Sequence, residues 1–83
     1  MPSVRLLLFA RAREAAGRRE DAFDGATLGE VLAASRTRYG SEFADVLGGS
    51  RVWVNGDEPA SGDATPLSDG DEVAVLPPVS GGG

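Results

Sequence analysis

Two segments are apolar almost from end to end, and they lie at opposite ends of an 83-residue chain: Val4-Arg5-Leu6-Leu7-Leu8-Phe9 and Glu72-Val73-Ala74-Val75-Leu76. Continuous apolar runs of this length suit strands in the middle of a sheet, whereas half-solvated edge strands alternate. If both are central, the first and last strands are neighbours and everything between them is a crossover. One long amphipathic segment is available to cover a face. Thr27 stands three residues before Glu30, the spacing of a capping box, and Leu28, Val31, Leu32 and Ser35 follow at helical intervals, with Tyr39 continuing the stripe. Gly40 ends it.

The remaining signals are shorter. Ala10 to Ala16 reads as a brief helix stopped by Gly17, and Arg19 to Asp24 has weak strand character. Phe43, Val46 and Leu47 make a small amphipathic turn before Gly48-Gly49. Arg51 to Asn55 is a strand, and Asn55-Gly56 is a tight-turn pair. Glu58 to Pro66 is broken by Pro and Gly, which predicts a loop or a very short strand. Ser68 to Asp71 is turn chemistry, and Pro77-Pro78 ends the last strand because neither residue donates to a ladder. This order predicts an α+β domain of the β-grasp, ubiquitin-like type over 1–78, a mixed sheet on one main helix. A flexible Gly tail is predicted over 79–83. A ferredoxin-like fold would require a second helix of comparable length.

Alternation then sorts the strand residues between two faces. Val4, Leu6, Leu8, Val52, Val54, Val73 and Val75 are predicted to face the helix. Leu7, Phe9, Trp53 and Leu76 are predicted on the uncovered face, together with Arg5, Arg51 and Ala74. A single exposed apolar residue needs no explanation. Four large ones from three strands form a candidate binding patch.

Composition narrows the chemistry. All eight basic side chains are Arg, and there is no Lys, His or Cys. This excludes thiolate nucleophiles, Ser-His triads, Cys/His metal sites, Schiff bases and P-loops. No metal site is predicted, and the chain is not expected to be catalytic alone. A net charge of −5 argues against nucleic acid as a partner. The longest large-apolar run, Leu6 to Phe9, is far short of a membrane span, so no membrane association and a cytoplasmic location are expected. Seven of the arginines lie in residues 1–40, while eight of the thirteen acids lie in 41–83. Paired acids such as Asp69 and Asp71 flank Gly70 and read as turn residues.

The run Leu67 to Gly82, ending Pro77-Pro78-Val79-Ser80-Gly81-Gly82, resembles the end of the small subunits of molybdopterin synthases. These are ubiquitin-like sulfur carriers related to the thiamine-pathway carrier. The opening Val4 to Glu14, with its Phe-Ala-x-x-Arg-Glu element, and Val52-Trp53-Val54-Asn55-Gly56 are similar to that family too, so the likeness runs the length of the chain. It implies a sulfur carrier whose C-terminal carboxylate is adenylated and converted to a thiocarboxylate, then donates sulfur to the cyclic pterin precursor of the molybdenum cofactor. The implied partners are the synthase large subunit, an adenylating enzyme of the ubiquitin-activating type that uses ATP, and a sulfur donor enzyme. No cofactor is bound by the carrier itself. Matching positions assign Phe9, Arg13 and Leu76 to the interface, joined by Leu7, Trp53, Pro77 and Pro78. The reacting terminus falls on Gly81, Gly82 and Gly83. The family pattern stops at Gly-Gly, so either Gly82 or Gly83 is the working end. Carriers for thiamine, cysteine or tRNA thiolation, and a ubiquitin-like protein modifier, are the alternatives.

Overall fold

A computed structural model describes residues 1–78. The tail at 79–83, including Gly81, Gly82 and Gly83, lies outside the described residues. The elements are β1 (Ser3–Leu8), α1 (Ala10–Ala16), β2 (Glu20–Asp24), α2 (Leu28–Tyr39), α3 (Ser41–Gly48), β3 (Arg51–Val54), a 3-10 turn at Gly62–Ala64 and β4 (Glu72–Leu76). The sheet order is β2-β1-β4-β3. β1 and β4 run parallel at its centre, with Arg5 opposite Glu72 and Leu8 opposite Val75. The outer strands are antiparallel to their neighbours. This is the predicted mixed β-grasp sheet.

The helices lie on one face. Val4, Leu6, Leu8, Val73 and Val75 are buried against Leu28, Val31 and Leu32 of α2. Ser35, on the same stripe, is fully buried and satisfied, its hydroxyl donating to the Leu32 carbonyl at 2.7 Å. The Thr27 hydroxyl accepts from the Glu30 N–H at 3.3 Å, as the capping pattern predicts. The return bond reaches one residue further back: Glu30 accepts from the Ala26 N–H at 2.9 Å. Gly17 closes α1 in the left-handed region (φ 78), donating to the Arg13 carbonyl at 2.9 Å.

Three features refine the sequence reading. As the alternation predicts, β1 is buried on one face only: Val4, Leu6 and Leu8 are buried, while Arg5 is exposed and Leu7 half-buried. The helices cover one side, so the apolar excess on the other has no counterpart among the described residues. α3 also contributes more than a turn, because Phe43 and Leu47 are core residues. Finally, the loop after β3 is pinned. Leu67 is buried, its N–H donates to Ala26, and Leu28 donates back to Thr65. Gly29 allows this approach, since a Cβ there would sit 3.1 Å from the Asp63 backbone oxygen.

A polar network that composition did not reveal ties β2 to the end of α2. Asp21 accepts from the Tyr39 hydroxyl at 2.7 Å and from its neighbour Ala22 N–H at 2.9 Å. Arg38 and Arg18 lie 3.1 and 3.2 Å from the same carboxylate. The Arg38 guanidinium also stands 3.9 Å over the Phe23 ring. The Tyr39 hydrogen bond, helped by Ala22 and the arginines, holds the Asp21 carboxyl down at about 2. Tyr39 is pushed upward by burial and by that carboxylate.

A depressed folded-state value contributes stability above the ordinary carboxylate pKa and loses it as pH falls toward the folded value. Asp21→Asn should therefore cost about 1–3 kcal/mol near neutral pH, in the range for hydrogen bonds to charged groups. In urea melts, the gap from wild type should close as pH falls from about 4 to about 2, between the ordinary carboxyl value of 3.8 and the folded value of about 2. A gap independent of pH would remove Asp21 ionisation as its cause.

Candidate functional site

The uncovered sheet face divides into a polar end and an apolar end. At the polar end Arg5 bridges both neighbouring strands, 2.5 Å from Glu20 and 3.0 Å from Glu72. Asn55 closes this end: its amide donates to Asp71 at 3.0 Å, and its oxygen accepts from the Glu72 N–H at 2.9 Å. The Asn55 amide, with the Ser68 N–H, holds the Asp71 carboxyl below the usual carboxylate range. Asp69 accepts from the Ser3 N–H at 2.8 Å. Asp69 and Asp71 thus fasten the turn into β4, as their place beside Gly70 implied.

The apolar end is built from the next positions along the same strands. Leu7, Ala74 and Trp53 form one row across β1, β4 and β3. Leu76 lies beyond Ala74, opposite Arg51. Phe9 follows Leu8, whose partner Val75 precedes Leu76, so both residues stand just past the last β1–β4 pair. Leu7, Trp53 and Leu76 are half-buried, and Phe9 is 45% exposed. Phe9 belongs to the corner rather than to the strand: it is the N-terminal cap of α1, with extended backbone. Arg13 sits exposed one helical turn later, its N–H donating to the Phe9 carbonyl at 3.3 Å.

The corner is strained. Ala10 has φ 49, in the left-handed region that side chains disfavour. The chain turns there so that Ala12 enters the core and Phe9 is left outside it.

β4 ends where this apolar surface ends. Pro77 and Pro78 run between two depressions. One is lined by Gly49, Arg51, Trp53, Leu76 and the prolines, the other by Arg11, Asp45, Val46, Gly49 and the prolines. The structure thereby brings together Trp53, Leu76, Pro77 and Pro78, sets Leu7 in the Trp53 row, and leaves Phe9 at the corner after β1 and Arg13 on α1. Sequence reasoning missed Arg11, Val46 and Gly49, which carry no mark of the site in their order. Arg51 was legible, since it has the parity of Trp53. Among the described residues, no ion pair engages Arg11, Arg13 or Arg51. No group of three or more acids there is placed to hold a metal, and no helix is long and apolar enough to cross a membrane.

Comparison with known proteins places this geometry among relatives. The family described as the ThiS family matches residues 6–82. The molybdopterin synthase sulfur carrier subunit of Chlamydomonas reinhardtii is 35% identical over 82 residues, an alignment spanning 95% of this chain and 98% of that protein. The solution structure of small archaeal modifier protein 1 from Methanosarcina acetivorans superposes with a TM-score of 0.88 at 32% identity, covering 98% of this chain and 97% of that one. A protein–protein complex of subunits 1 and 2 of the molybdopterin-converting factor from Helicobacter pylori 26695 contains a chain that matches with a TM-score of 0.68 at 25% identity, covering 95% and 97%.

Two consequences are measurable. Leu76→Ala, on the open face, should cost under about 1.5 kcal/mol, whereas Leu6→Ala in the core should cost about 2–5 kcal/mol. Ala10→Gly should be neutral or stabilising by up to about 1 kcal/mol, because glycine accepts the left-handed corner. Equal losses at Leu76 and Leu6 in denaturant titrations would contradict the open face.

Proposed function

The chain belongs to the ThiS family of ubiquitin-like sulfur carriers, and from that premise we propose that it is the sulfur-carrying small subunit of a molybdopterin synthase. The observation that carries the reading is the meeting, at one edge of the sheet, of the apolar open face with the root of the glycine-ended tail. Two similarities support it. The Chlamydomonas relative bears that name, and the Helicobacter chain is seen in complex with a second subunit.

In this reading the large subunit covers Leu7, Phe9, Trp53 and Leu76, with Arg13 at the rim. Pro77 and Pro78 stiffen the exit from β4 and aim the remaining residues into the partner. Glycines at 81–83 suit a narrow channel because they present a carboxylate with no Cβ beside it. The chain supplies no His, Cys or Lys, so in this reading its own nucleophile is the terminal carboxylate and the sulfur nucleophile comes from a partner.

Activation is a two-step exchange. The terminal carboxylate oxygen attacks the α-phosphorus of ATP on the adenylating enzyme, and pyrophosphate leaves. The outer sulfur of a persulfide on the donor enzyme then attacks the acyl carbon and AMP leaves with the C–O bonding pair, giving an acyl disulfide. A thiol, as the two-electron reductant, attacks the donor's sulfur, the S–S bond breaks with its pair on the acyl sulfur, and the thiocarboxylate is released as the thiol and donor form a disulfide. Sulfur next passes to the cyclic pterin precursor on the large subunit. A protein-modifier role is the second reading, favoured by the closeness of the fold to the Methanosarcina modifier.

Intact mass spectrometry after incubation with the adenylating enzyme, ATP and a sulfur source tests the carrier chemistry. Exchange of one oxygen for sulfur should add about 16 Da at the C-terminus. An unchanged mass with the terminus intact would sink the reading, and deletion of Gly83, then of Gly82 as well, identifies the working end. Phe9→Asp and Leu76→Asp should each weaken capture of the large subunit by about tenfold or more while leaving the melting temperature within a few degrees. Amide linkage to lysines of other proteins, without sulfur transfer to the pterin precursor, would favour the modifier.

A further inference from the structure

The sheet has two edges, and they are closed by different means. At the β3 edge the chain turns back on itself: the Val54 N–H donates to the Asp57 carbonyl at 2.8 Å, and the Asp57 N–H donates back to Val54 at 3.1 Å. At the β2 edge no backbone segment among the described residues lies alongside. The ladder to β1 fixes which β2 groups point outward. Gly25 donates to Pro2 and Leu8 to Arg19, and the register sets Phe23 opposite Val4 and Asp21 opposite Leu6. The alternation of an antiparallel pair then turns the backbone groups of Glu20, Ala22 and Asp24 away from β1. Outward groups of this kind, left unpaired, are a template for another strand.

Ala22, at the middle of β2, has both outward groups occupied by side chains. Its N–H donates to Asp21 Oδ1 at 2.9 Å, and its carbonyl accepts from Arg38 Nη1 at 3.0 Å. The same Nη1 stands 3.1 Å from Asp21 Oδ2, so guanidinium and carboxylate close on each other across the edge. A planar fork of donors lets one Arg serve a carbonyl and a carboxylate at once. Tyr39 and Arg18 hold the carboxylate, and the Phe23 ring lies 3.9 Å from the Arg38 guanidinium carbon. Arg38 thus leaves the end of α2 on a fixed course. Arg36, two residues earlier, is exposed and in no ion pair among the described residues.

We propose that Asp21 and Arg38 form a latch on the β2 edge that bars a second copy of this chain from adding its own β2 there. The edge itself defines what is excluded. Two β2 strands related by a two-fold axis would meet antiparallel about Ala22, and the facing Ala22 residues would exchange the two backbone bonds now replaced by side chains. Ala22 is exposed and carries a methyl group, so side-chain bulk does not prevent the approach. In that register Glu20 of each copy faces Asp24 of the other, which adds like-charge repulsion as a second barrier. Salt screens the exposed Glu20 and Asp24. It acts less on the latch, where the Asp21 side chain is 14% exposed. β2 lies at the opposite edge of the sheet from β3, and the proposal does not depend on the carrier reading.

Sedimentation equilibrium of the full chain, in about 0.5 M salt to screen Glu20 and Asp24, tests the latch. Arg38→Met keeps an apolar stem over Phe23 and removes the donor to Ala22, and Arg38→Ala removes both. Arg36→Met makes the same charge change outside the latch. Wild type and Arg36→Met should stay monomeric at the highest soluble concentration. Both Arg38 variants should self-associate at least about tenfold more tightly than wild type, because backbone groups at the edge become free for a second copy. Adding Ala22→Pro to Arg38→Met should restore the monomer, since proline removes the outward N–H and leaves the ladder to β1 intact. Arg38 variants as monomeric as wild type would overturn the proposal. Association of Arg36→Met equal to that of Arg38→Met would do the same, as would association that survives Ala22→Pro.

Discussion

The parallel contact between β1 and β4 is the constraint on which the rest of the molecule depends. Parallel neighbours cannot be joined by a tight turn, so residues 9–71 must form a crossover. That crossover contains every helix, and the core shows them packed on a single side of the sheet. One face is therefore closed by Leu28, Val31, Leu32, Phe43 and Leu47, and the other is left to solvent. The same contact sends the end of β4 out past Leu76, at the edge where Trp53 and Phe9 lie. Site and fold have one geometric cause.

A domain this small buries a modest fraction of its surface, and no disulfide is available to reinforce it. The structure compensates with bonds across long sequence separations. Asp21 gathers Tyr39, Arg18 and Arg38 at one edge. Asn55 and Asp71 secure the start of β4 against the end of β3. Thr65 and Leu67 fasten the long loop to the beginning of α2. These ties concentrate away from the tail root. Arg11, Arg13 and Arg51 remain without ion pairs among the described residues.

Local pattern was readable where a residue acts on its near neighbours. The apolar runs placed β1 and β4, Thr27 and Glu30 marked the start of α2, and Gly17 and Gly40 marked helix ends. Parity assigned Leu7, Trp53 and Leu76 to the open face, because a strand side chain has two directions to choose between. What escaped depended on tertiary approach. Nothing near Asp21 in sequence announces Tyr39, eighteen residues away. Nothing near Pro77 announces Arg11 or Gly49, which α1 and the end of α3 deliver from elsewhere. Phe43, Val46 and Leu47 mark an apolar stripe by their spacing, but that stripe does not say that α3 packs against α1 and puts Phe43 and Leu47 in the core.

The absence of Lys, Cys and His fits a molecule whose chemistry is confined to its own C-terminus and completed by partners. In the proposed function, this terminus gives its sulfur to the pterin precursor when the open face is docked on a molybdopterin synthase large subunit. A single-turnover reaction tests it most directly: thiocarboxylated chain, large subunit and cyclic precursor are mixed, and dithiolene product is measured alongside carrier mass. Thiocarboxylate should be lost in step with dithiolene formation, with Leu76→Asp slowing both. Persistence of the thiocarboxylate in the presence of a large subunit that is active with another carrier would contradict it.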